Sequence, residues 1–247
     1  MKVLVVIPAR HGSTRFPGKP LALVAGVPMI QRVYERAASA GPEACAKVVV
    51  ATDDARISDV VHGFGGEAVM TSADCPNGTV RCHEAVVALE EQGEQFDGVL
   101  NVQGDEPFVH PDQIAQLAEM LRKPDAAVVT LAKSMPADPE IHSPHRVKVV
   151  RDLAGRAQMF SRSPIPHGDG PWMQHVGLYG FKRTALEALV QLSPTPLELR
   201  EKLEQLRWLD HGWRIDVGTT THLTPSVDTP EDLAAIEGLI ADGNLGA

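Results

Sequence analysis

The 247-residue chain has few cysteines and few aromatic residues: three of the former, and 4% of the latter. Cys45, Cys75 and Cys82 are odd in number and show no C-x-x-C spacing, which argues against a disulfide framework and against a zinc knuckle. Buried or inert thiols in a reducing compartment are the interpretation that we favour. The chain also has no apolar run near 18 residues and no signal-peptide core, so we predict a cytoplasmic protein.

An excess of positive charge is absent as well, since the formal net charge is −9. Nucleic acids and anionic membrane surfaces attract basic proteins, so general binding to either is not expected. The hydrophobic content of 43% and the charged content of 22% are ordinary for a globular protein. At this length we predict one large domain with a subsidiary lobe.

Against this acidic background, a basic loop follows the first apolar run. Residues 3–7 are uninterrupted Val, Leu and Ile, which predicts a strand that is buried on both faces and ends at Pro8. Three cations then stand in a glycine-containing loop: Arg10, Arg15 and Lys19. Fixed cations and backbone N–H groups at the carboxyl end of a central strand predict a polyphosphate site. The alternative is a solvated basic loop.

The spacing of this loop differs from a Walker A motif. Gly12 and Gly18 are separated by five residues instead of four, and Pro20 stands where the magnesium-binding Ser or Thr should be. The sequence therefore argues against a P-loop NTPase.

Strand and helix patterns alternate along most of the chain. This rhythm is typical of a parallel sheet covered by helices on both faces. The patterns predict strands over 47–51, 68–70, 99–102, 126–131, 146–150, 157–160 and 174–181, and helices over 27–40, 57–62, 77–92, 114–121, 197–209 and from 229 onward.

Two polar segments adjoin these elements. Asn77, Gly78, Thr79 and Arg81 begin a helix, whose free N–H groups suit a phosphate or the polar edge of a base, with a plain helix cap as an equal alternative. Asp105 follows a buried strand and a glycine, which is where an α/β enzyme holds a metal against a bound phosphate.

Two further acidic segments stand next to predicted helices. Asp53 or Asp54 is better explained as a helix cap than as a ligand. Asp228 lies just outside the last helix, which Thr229 caps.

Eight segments in one order resemble the 3-deoxy-manno-octulosonate (Kdo) cytidylyltransferases, the CMP-Kdo synthetases. The segments are IPARHGSTRFPGKPL, VATDD, NGTVR, NVQGDEP, FSRSPIP, QHVGLYGF, LEQLR and VDTPEDL. The resemblance covers almost the whole chain. It implies an enzyme that joins CTP to the anomeric hydroxyl of Kdo, for lipopolysaccharide or capsule assembly, with release of pyrophosphate by Mg²⁺-dependent in-line attack on the α-phosphate. It also implies a homodimer.

The resemblance further implies a role for each matching residue. Arg10, Arg15 and Lys19, with Asp105 and Asp228, would be the catalytic set, the two aspartates binding Mg²⁺. The CTP-binding residues would be Pro8, Ala9, Arg10, Ser13, Arg15, Lys19, Asn77, Gly78, Arg81 and Gln103. The acceptor-binding residues would be Gln103, Arg162, His175, Tyr179, Glu204 and Gln205.

Three departures from the family pattern concern the acceptor side more than the nucleotide side. Val80 replaces a carboxylate, Gln174 replaces a basic residue, and the loop over 163–173 is short. A cytidylyltransferase for another acidic acceptor, such as amino-Kdo, a sialic-acid-like sugar or a phosphonate, is therefore the alternative. A non-catalytic nucleotide-binding regulator is a third hypothesis, which the presence of Arg15, Lys19 and both aspartates argues against.

The fold expected from this resemblance and from the element pattern is α/β. We predict a doubly wound, mostly parallel, Rossmann-like nucleotidyltransferase sheet that carries the CTP site at its carboxyl edge. The sheet would come mainly from residues 1–132 and 212–247, and residues 133–211 would form a small mixed lobe for acceptor binding and dimerisation.

Overall fold

The computed structural model describes residues 1–12, 16–135, 139–222 and 224–242. Its strands are β1 (Val3–Ala9), β2 (Leu23–Val24), β3 (Val27–Pro28), β4 (Lys47–Thr52), β5 (Ala68–Met70), β6 (Gly98–Asn101), β7 (Val128–Met135), β8 (Lys148–Arg151), β9 (Ala157–Ser161), β10 (Trp172–Lys182) and β11 (Ile215–Thr219). Its α-helices are α1 (Met29–Ala38), α2 (Ala55–Gly63), α3 (Gly78–Glu91), α4 (Pro111–Arg122), α5 (Arg183–Leu189), α6 (Pro196–Glu201), α7 (Gln205–Asp210) and α8 (Pro230–Ala241).

The central sheet has the order β11-β7-β10-β6-β1-β4-β5, and the β8-β9 hairpin joins it through β10. The strands of this path run in one direction except β10, which is antiparallel to both of its neighbours. Val5 and Ile7 of β1 pack with α1 and α4 on one face, and Leu4 and Val6 pack with α3 on the other. The predicted doubly wound, mostly parallel α/β fold is confirmed.

β1 continues through Pro8 to Ala9, so the prediction that Pro8 ends the strand is wrong. The Val6 carbonyl oxygen accepts from the Val102 backbone N–H on the β6 side. The backbone nitrogen of Pro8, two residues later, points to the same side of β1, but β6 has already ended there, at Asn101. The missing proline N–H therefore removes no ladder hydrogen bond.

β10 corrects the predicted division between sheet and lobe. It comes from the 133–211 segment, yet it lies in the middle of the sheet, between β7 and β6. A strand in this position must be buried on both faces, and Tyr179 to Phe181 are all buried. Residues 133–211 therefore do not form a lobe separate from the sheet. Whether the chain counts as one domain stays a prediction.

The single helix predicted over 197–209 is wrong, because α6 and α7 divide this segment. Lys202 ends α6 in a left-handed conformation with φ of 54°. Leu203 follows it into the core, beside Leu206 and Trp208. Burial of this leucine outweighs the preference of the sequence for a continuous helix. The sequence patterns also missed α5 and β11.

The predicted N-terminal helix caps are confirmed. Asp54 caps α2 and accepts a hydrogen bond from the Arg56 backbone N–H, and Asn77 caps α3 in the same way. Thr229 and Asp232 form the predicted capping box of α8.

Cysteines 45, 75 and 82 are buried and free, as predicted, and burial raises the pKa of each thiol. Among the described residues, no helix has both the length and the apolar character needed to cross a membrane.

Candidate functional site

A cleft of about 320 Å³ opens at the carboxyl ends of β1 and β6. Most of the residues predicted for nucleotide and metal binding line it, although Ser13 and Arg15 lie outside the described residues. The lining consists of Pro8, Ala9, Arg10, Lys19, Pro20, Pro76, Asn77, Gly78, Arg81, Gln103, Gly104, Asp105 and Asp228. Segments far apart in the chain thus meet at one edge of the sheet, as parallel topology requires.

Lys19 stands between the two predicted metal carboxylates. Its Nζ lies 2.7 Å from Asp105 Oδ2 and 3.3 Å from Asp228 Oδ1. The lysine side chain is only 12% exposed, so water screens these contacts poorly. Two carboxylates that converge on one point need a cation between them. This arrangement fits the lysine ammonium, and it equally fits a hard divalent cation with oxygen ligands.

Local backbone contacts hold these two carboxylates in place. The Asp105 carbonyl oxygen accepts from the Val227 backbone N–H at 3.0 Å, which ties the loop after β6 to the segment before α8. The Asp228 backbone N–H donates to Asp232 Oδ2 at 2.9 Å. The capping box that starts α8 therefore also positions Asp228, so one local sequence motif serves both the helix and the site.

Two glycines in the cleft stand against Pro8. A methyl group at Gly104 would lie 3.0 Å from the Pro8 carbonyl oxygen, and one at Gly78 would lie 3.2 Å from the Pro8 ring. Both distances are shorter than ordinary van der Waals contact, so larger residues would push the walls apart. The wall beside β1 is consequently backbone and proline ring, which suits the flat face of a base.

Arg81 is buried in the wall of the cleft and fixed by two partners. Its Nη1 donates to Thr71 Oγ1 at 2.6 Å, and its Nη2 lies 3.2 Å from Asp53 Oδ2. Asp53 and Asp54 therefore have different tasks, because Asp54 caps α2. Asn77 also combines two tasks: it caps α3 and lines the cleft.

The predicted acceptor residues Glu204 and Gln205 lie at the start of α7, next to the cleft. Glu204 Oε2 accepts from Thr79 Oγ1 at 2.9 Å, two residues from Asn77. Burial raises the pKa of Glu204 to about 7, with the Thr79 hydrogen bond acting in the opposite direction. Gln205 is only 4% exposed.

His175 and Tyr179 form an aromatic pair on β10, with ring centroids 5.3 Å apart. Thr130 Oγ1 lies 2.7 Å from the Leu178 carbonyl oxygen, to which it donates, and 2.9 Å from His175 Nε2. The hydroxyl therefore accepts from His175, which places the imidazole proton on Nε2. Burial lowers the pKa of His175 to about 3 and raises that of Tyr179 well above its usual value.

Arg162 binds main-chain carbonyl oxygens in this structure. Its guanidinium donates to the carbonyl oxygens of Glu201, Pro144 and Lys202, at 2.8, 2.8 and 3.3 Å. These contacts anchor the end of α6. Arg162 does not line the cleft, and the same is true of His175, Tyr179, Glu204 and Gln205. Its role in acceptor binding stays a prediction that this placement does not favour.

A second cleft of about 200 Å³ lies beyond Asp105 and contains His175. Its lining is Glu106, Lys133, His145, Val147, Gln174, His175, Val176, Gly177, Thr224 and Ser226. Two buried oxygens in it, Glu106 Oε2 and Gln174 Oε1, have no hydrogen-bond partner in the described structure. Burial, together with the charges of Asp105 and Asp228, raises the pKa of Glu106 well above its usual value.

Sequence reasoning missed Lys133, the cation of this second cleft. It lies directly opposite Gln174 in the β7-β10 ladder, and burial and the nearby Arg146 lower its pKa. The strand predicted over 126–131 stopped before Lys133, whereas β7 continues to Met135. A lysine inside an otherwise uncharged strand was the signal that could have identified it.

A cytidylyltransferase family model matches residues 4–215 of the chain. The 3-deoxy-manno-octulosonate cytidylyltransferase of Rhodopseudomonas palustris is 46% identical over 244 residues, covering 97% of this chain and 98% of its own. That of Parabacteroides distasonis is 43% identical over 256 residues, covering 98% and 99%.

Solved structures agree with these relatives. A CMP:2-keto-3-deoxy-manno-octonic acid synthetase complexed with CTP superposes with a TM-score of 0.89 at 39% identity, covering 98% of this chain and 100% of its own. A cytidylyltransferase from Leptospira borgpetersenii, at 17% identity and a TM-score of 0.64 over 98% of this chain and 87% of its own, shares the fold. Because the family model matches most of the chain and these relatives align with nearly all of it, the chain belongs to the 3-deoxy-manno-octulosonate cytidylyltransferase family.

Proposed function

We propose that this protein transfers the cytidylyl group of CTP to the anomeric hydroxyl of Kdo, giving CMP-Kdo and pyrophosphate. The observation that carries the proposal is the convergence of Lys19, Asp105 and Asp228 in a cleft that also contains Asn77 and Arg81. Cation and carboxylates suit a metal-bound triphosphate, and the remaining wall suits a base. The family membership and the names of the relatives support the same reaction.

Transfer of the cytidylyl group requires the protein to position the reactants and to stabilise charge, more than it requires covalent catalysis. Arg10, Arg15 and Lys19 would hold the triphosphate and stabilise the charge on the leaving pyrophosphate. The cytidine would lie between the Pro8 to Ala9 backbone and the start of α3, where Asn77 and Arg81 contact it. Asp53 would keep the Arg81 guanidinium in one orientation, which prevents it from turning towards the phosphates.

Asp105 and Asp228 fit a magnesium ion, because two carboxylates already converge on one cation. When bound there, Mg²⁺ would supply charge neutralisation on the phosphate and would lower the pKa of the attacking hydroxyl. Lys19 would then leave the carboxylates and contact phosphate oxygens.

The acceptor would lie between the two clefts, among Gln103, His175, Tyr179, Glu204 and Gln205. The second cleft contains a cation, Lys133, that could bind the carboxylate of an acidic acceptor, and the ring of His175 is nearby. The guanidinium of Arg162 is already bound to three carbonyl oxygens. We therefore assign the carboxylate of the acceptor to Lys133. Another acidic sugar is the second candidate acceptor, because Gln174 replaces the basic residue of the family pattern beside this cation.

Pyrophosphate release by the purified protein tests the reaction. We expect release with CTP, Mg²⁺ and Kdo together, no release when Kdo is omitted, and little with ATP, GTP or UTP. Turnover with amino-Kdo or a sialic acid, and none with Kdo, would replace the acceptor and keep the reaction class. CTP binding without turnover on any of these acids would favour the non-catalytic regulator.

Lys133→Met tests the assignment of the acid carboxylate. Loss of one charge-assisted contact should raise KM for the acceptor about 10- to 100-fold while KM for CTP changes little. Lys123→Met, which removes an exposed lysine from the end of α4, is the matched control and should behave like the wild type. An unchanged acceptor KM in Lys133→Met would show that the carboxylate binds elsewhere.

The homodimer and the cytoplasmic location stay predictions from the sequence. Sedimentation of the purified protein would measure the oligomeric state directly.

A further inference from the structure

Outside the linings of both clefts, two histidines and one aspartate come together between α4 and the segment after β11. The rings of His110 and His222 are stacked, with centroids 3.7 Å apart and planes at 7° to each other. Asp112 Oδ2 lies 3.4 Å from His110 Nδ1 and 3.2 Å from His222 Nε2. One carboxylate oxygen therefore faces a ring nitrogen of each histidine.

We propose that His110, Asp112 and His222 bind a divalent ion of the zinc type. One ligand atom from each residue lies within 4.8 Å of the others. Zn²⁺ takes imidazole nitrogen and carboxylate oxygen at about 2.0–2.2 Å, so neighbouring ligand atoms of a tetrahedral site are about 3.3 Å apart. Both distances from Asp112 Oδ2 already match this value. The remaining coordination position would be open to water, because all three side chains are partly exposed.

Neighbouring hydrogen bonds position the two histidines of this histidine-aspartate cluster. His110 caps α4, with its backbone N–H donating to Gln113 Oε1 at 3.0 Å. The Gln113 side chain in turn contacts Thr220 Oγ1, which also accepts from the His222 backbone N–H at 3.3 Å. The two histidines are thus brought together by protein contacts before any ion binds, which reduces the ordering cost of the ligands.

Binding requires two small changes. His110 Nδ1 accepts from the Asp112 backbone N–H at 3.2 Å, and this hydrogen bond must be given up when Nδ1 becomes a ligand. The stacked rings must also tilt so that their lone pairs converge. Each change involves a partly exposed side chain at the surface, where there is room for it. The donor set differs from that of Asp105 and Asp228, since imidazole nitrogen favours Zn²⁺ over Mg²⁺.

The position of the cluster gives the ion a structural consequence. His222 comes shortly before the segment that carries Thr224 and Ser226 of the second cleft and Asp228 of the first. An ion shared with α4 would restrain this segment at its start. We therefore expect Zn²⁺ to raise the thermal stability of the protein, because the folded state binds the ion better than the unfolded chain.

Equilibrium dialysis with Zn²⁺, and the visible absorption of bound Co²⁺, test the proposal. The protein is first stripped with a chelator, and excess Mg²⁺ is kept present to occupy the carboxylate pair. We expect one tightly bound equivalent and Co²⁺ bands typical of nitrogen ligation. His222→Gln and His110→Asn should each lower the affinity at least 10-fold, and asparagine preserves the helix cap.

His62→Gln, which removes an exposed histidine from the end of α2, is the matched control and should bind like the wild type. Retention of the same affinity in His222→Gln and His110→Asn would overturn the proposal, as would a wild-type protein that binds no ion. In the latter case Asp112 serves only to contact the two histidines, through its backbone N–H at His110 Nδ1 and its carboxylate at His222 Nε2.

Discussion

Asp105→Asn should lower kcat about 10³-fold while the protein stays folded. The substitution keeps the size of the side chain and removes the charge that would hold Mg²⁺ against the phosphates. Asp105 is held by its backbone contact to Val227, which an asparagine would keep, so the loop after β6 should retain its course. Initial rates of pyrophosphate release over a range of Mg²⁺ concentrations, together with a circular dichroism melt, provide the measurement.

Asp59→Asn is the control for this charge change, because Asp59 is an exposed aspartate on α2. It should turn over like the wild type. If Asp105→Asn kept near wild-type activity at every Mg²⁺ concentration, the metal assignment to this carboxylate would be wrong. A fall in activity that higher Mg²⁺ fully restores would indicate that Asp105 contributes to affinity alone.

Lys19→Met should lower kcat about 10²- to 10³-fold, because the leaving pyrophosphate would lose a fixed cation. The same change should have a second, separate effect. Without the lysine, Asp105 and Asp228 repel each other across the position that Nζ occupies. The variant should therefore be less stable than the wild type without metal, and Mg²⁺ should raise its Tm by more than it raises that of the wild type.

Lys123→Met again serves as the control, with neither effect expected. The two readouts separate the roles of the lysine. Normal turnover would exclude Lys19 from the stabilisation of the leaving group. Equal Mg²⁺ shifts in Lys19→Met and wild type would show that the lysine does not compete with the ion for the two carboxylates, whatever happens to the rate.

The architecture could largely be predicted because its signals are local. The apolar run of β1, the cap residues Asn77 and Thr229, and the alternation of strands and helices all depend on residues close together in the chain. They were confirmed with small shifts of the element ends. The prediction failed where distant residues decide, as at Leu203, whose burial divides α6 from α7.

The candidate site divides in a similar way. Asp105 was predicted as a ligand from a local pattern, a strand followed by a glycine, whereas the role of Asp228 was predicted from the family resemblance. Arg162 is the opposite case: its motif is present, but the guanidinium contacts carbonyl oxygens from two other segments. Lys133 was overlooked, because its place in the second cleft depends on its pairing with Gln174. That pairing exists only because β10 lies next to β7 in the sheet.

By itself, then, the sequence determined the fold class, the helix caps and the place of Asp105 after a strand, since each depends on nearby residues and on short-range preferences of the backbone. Only the tertiary structure decided that β10 lies in the middle of the sheet, that Lys19 bridges Asp105 and Asp228, and that His110 meets His222. These are contacts between residues far apart in the chain. They arise from the burial of apolar surface across the whole sheet, which no local pattern encodes.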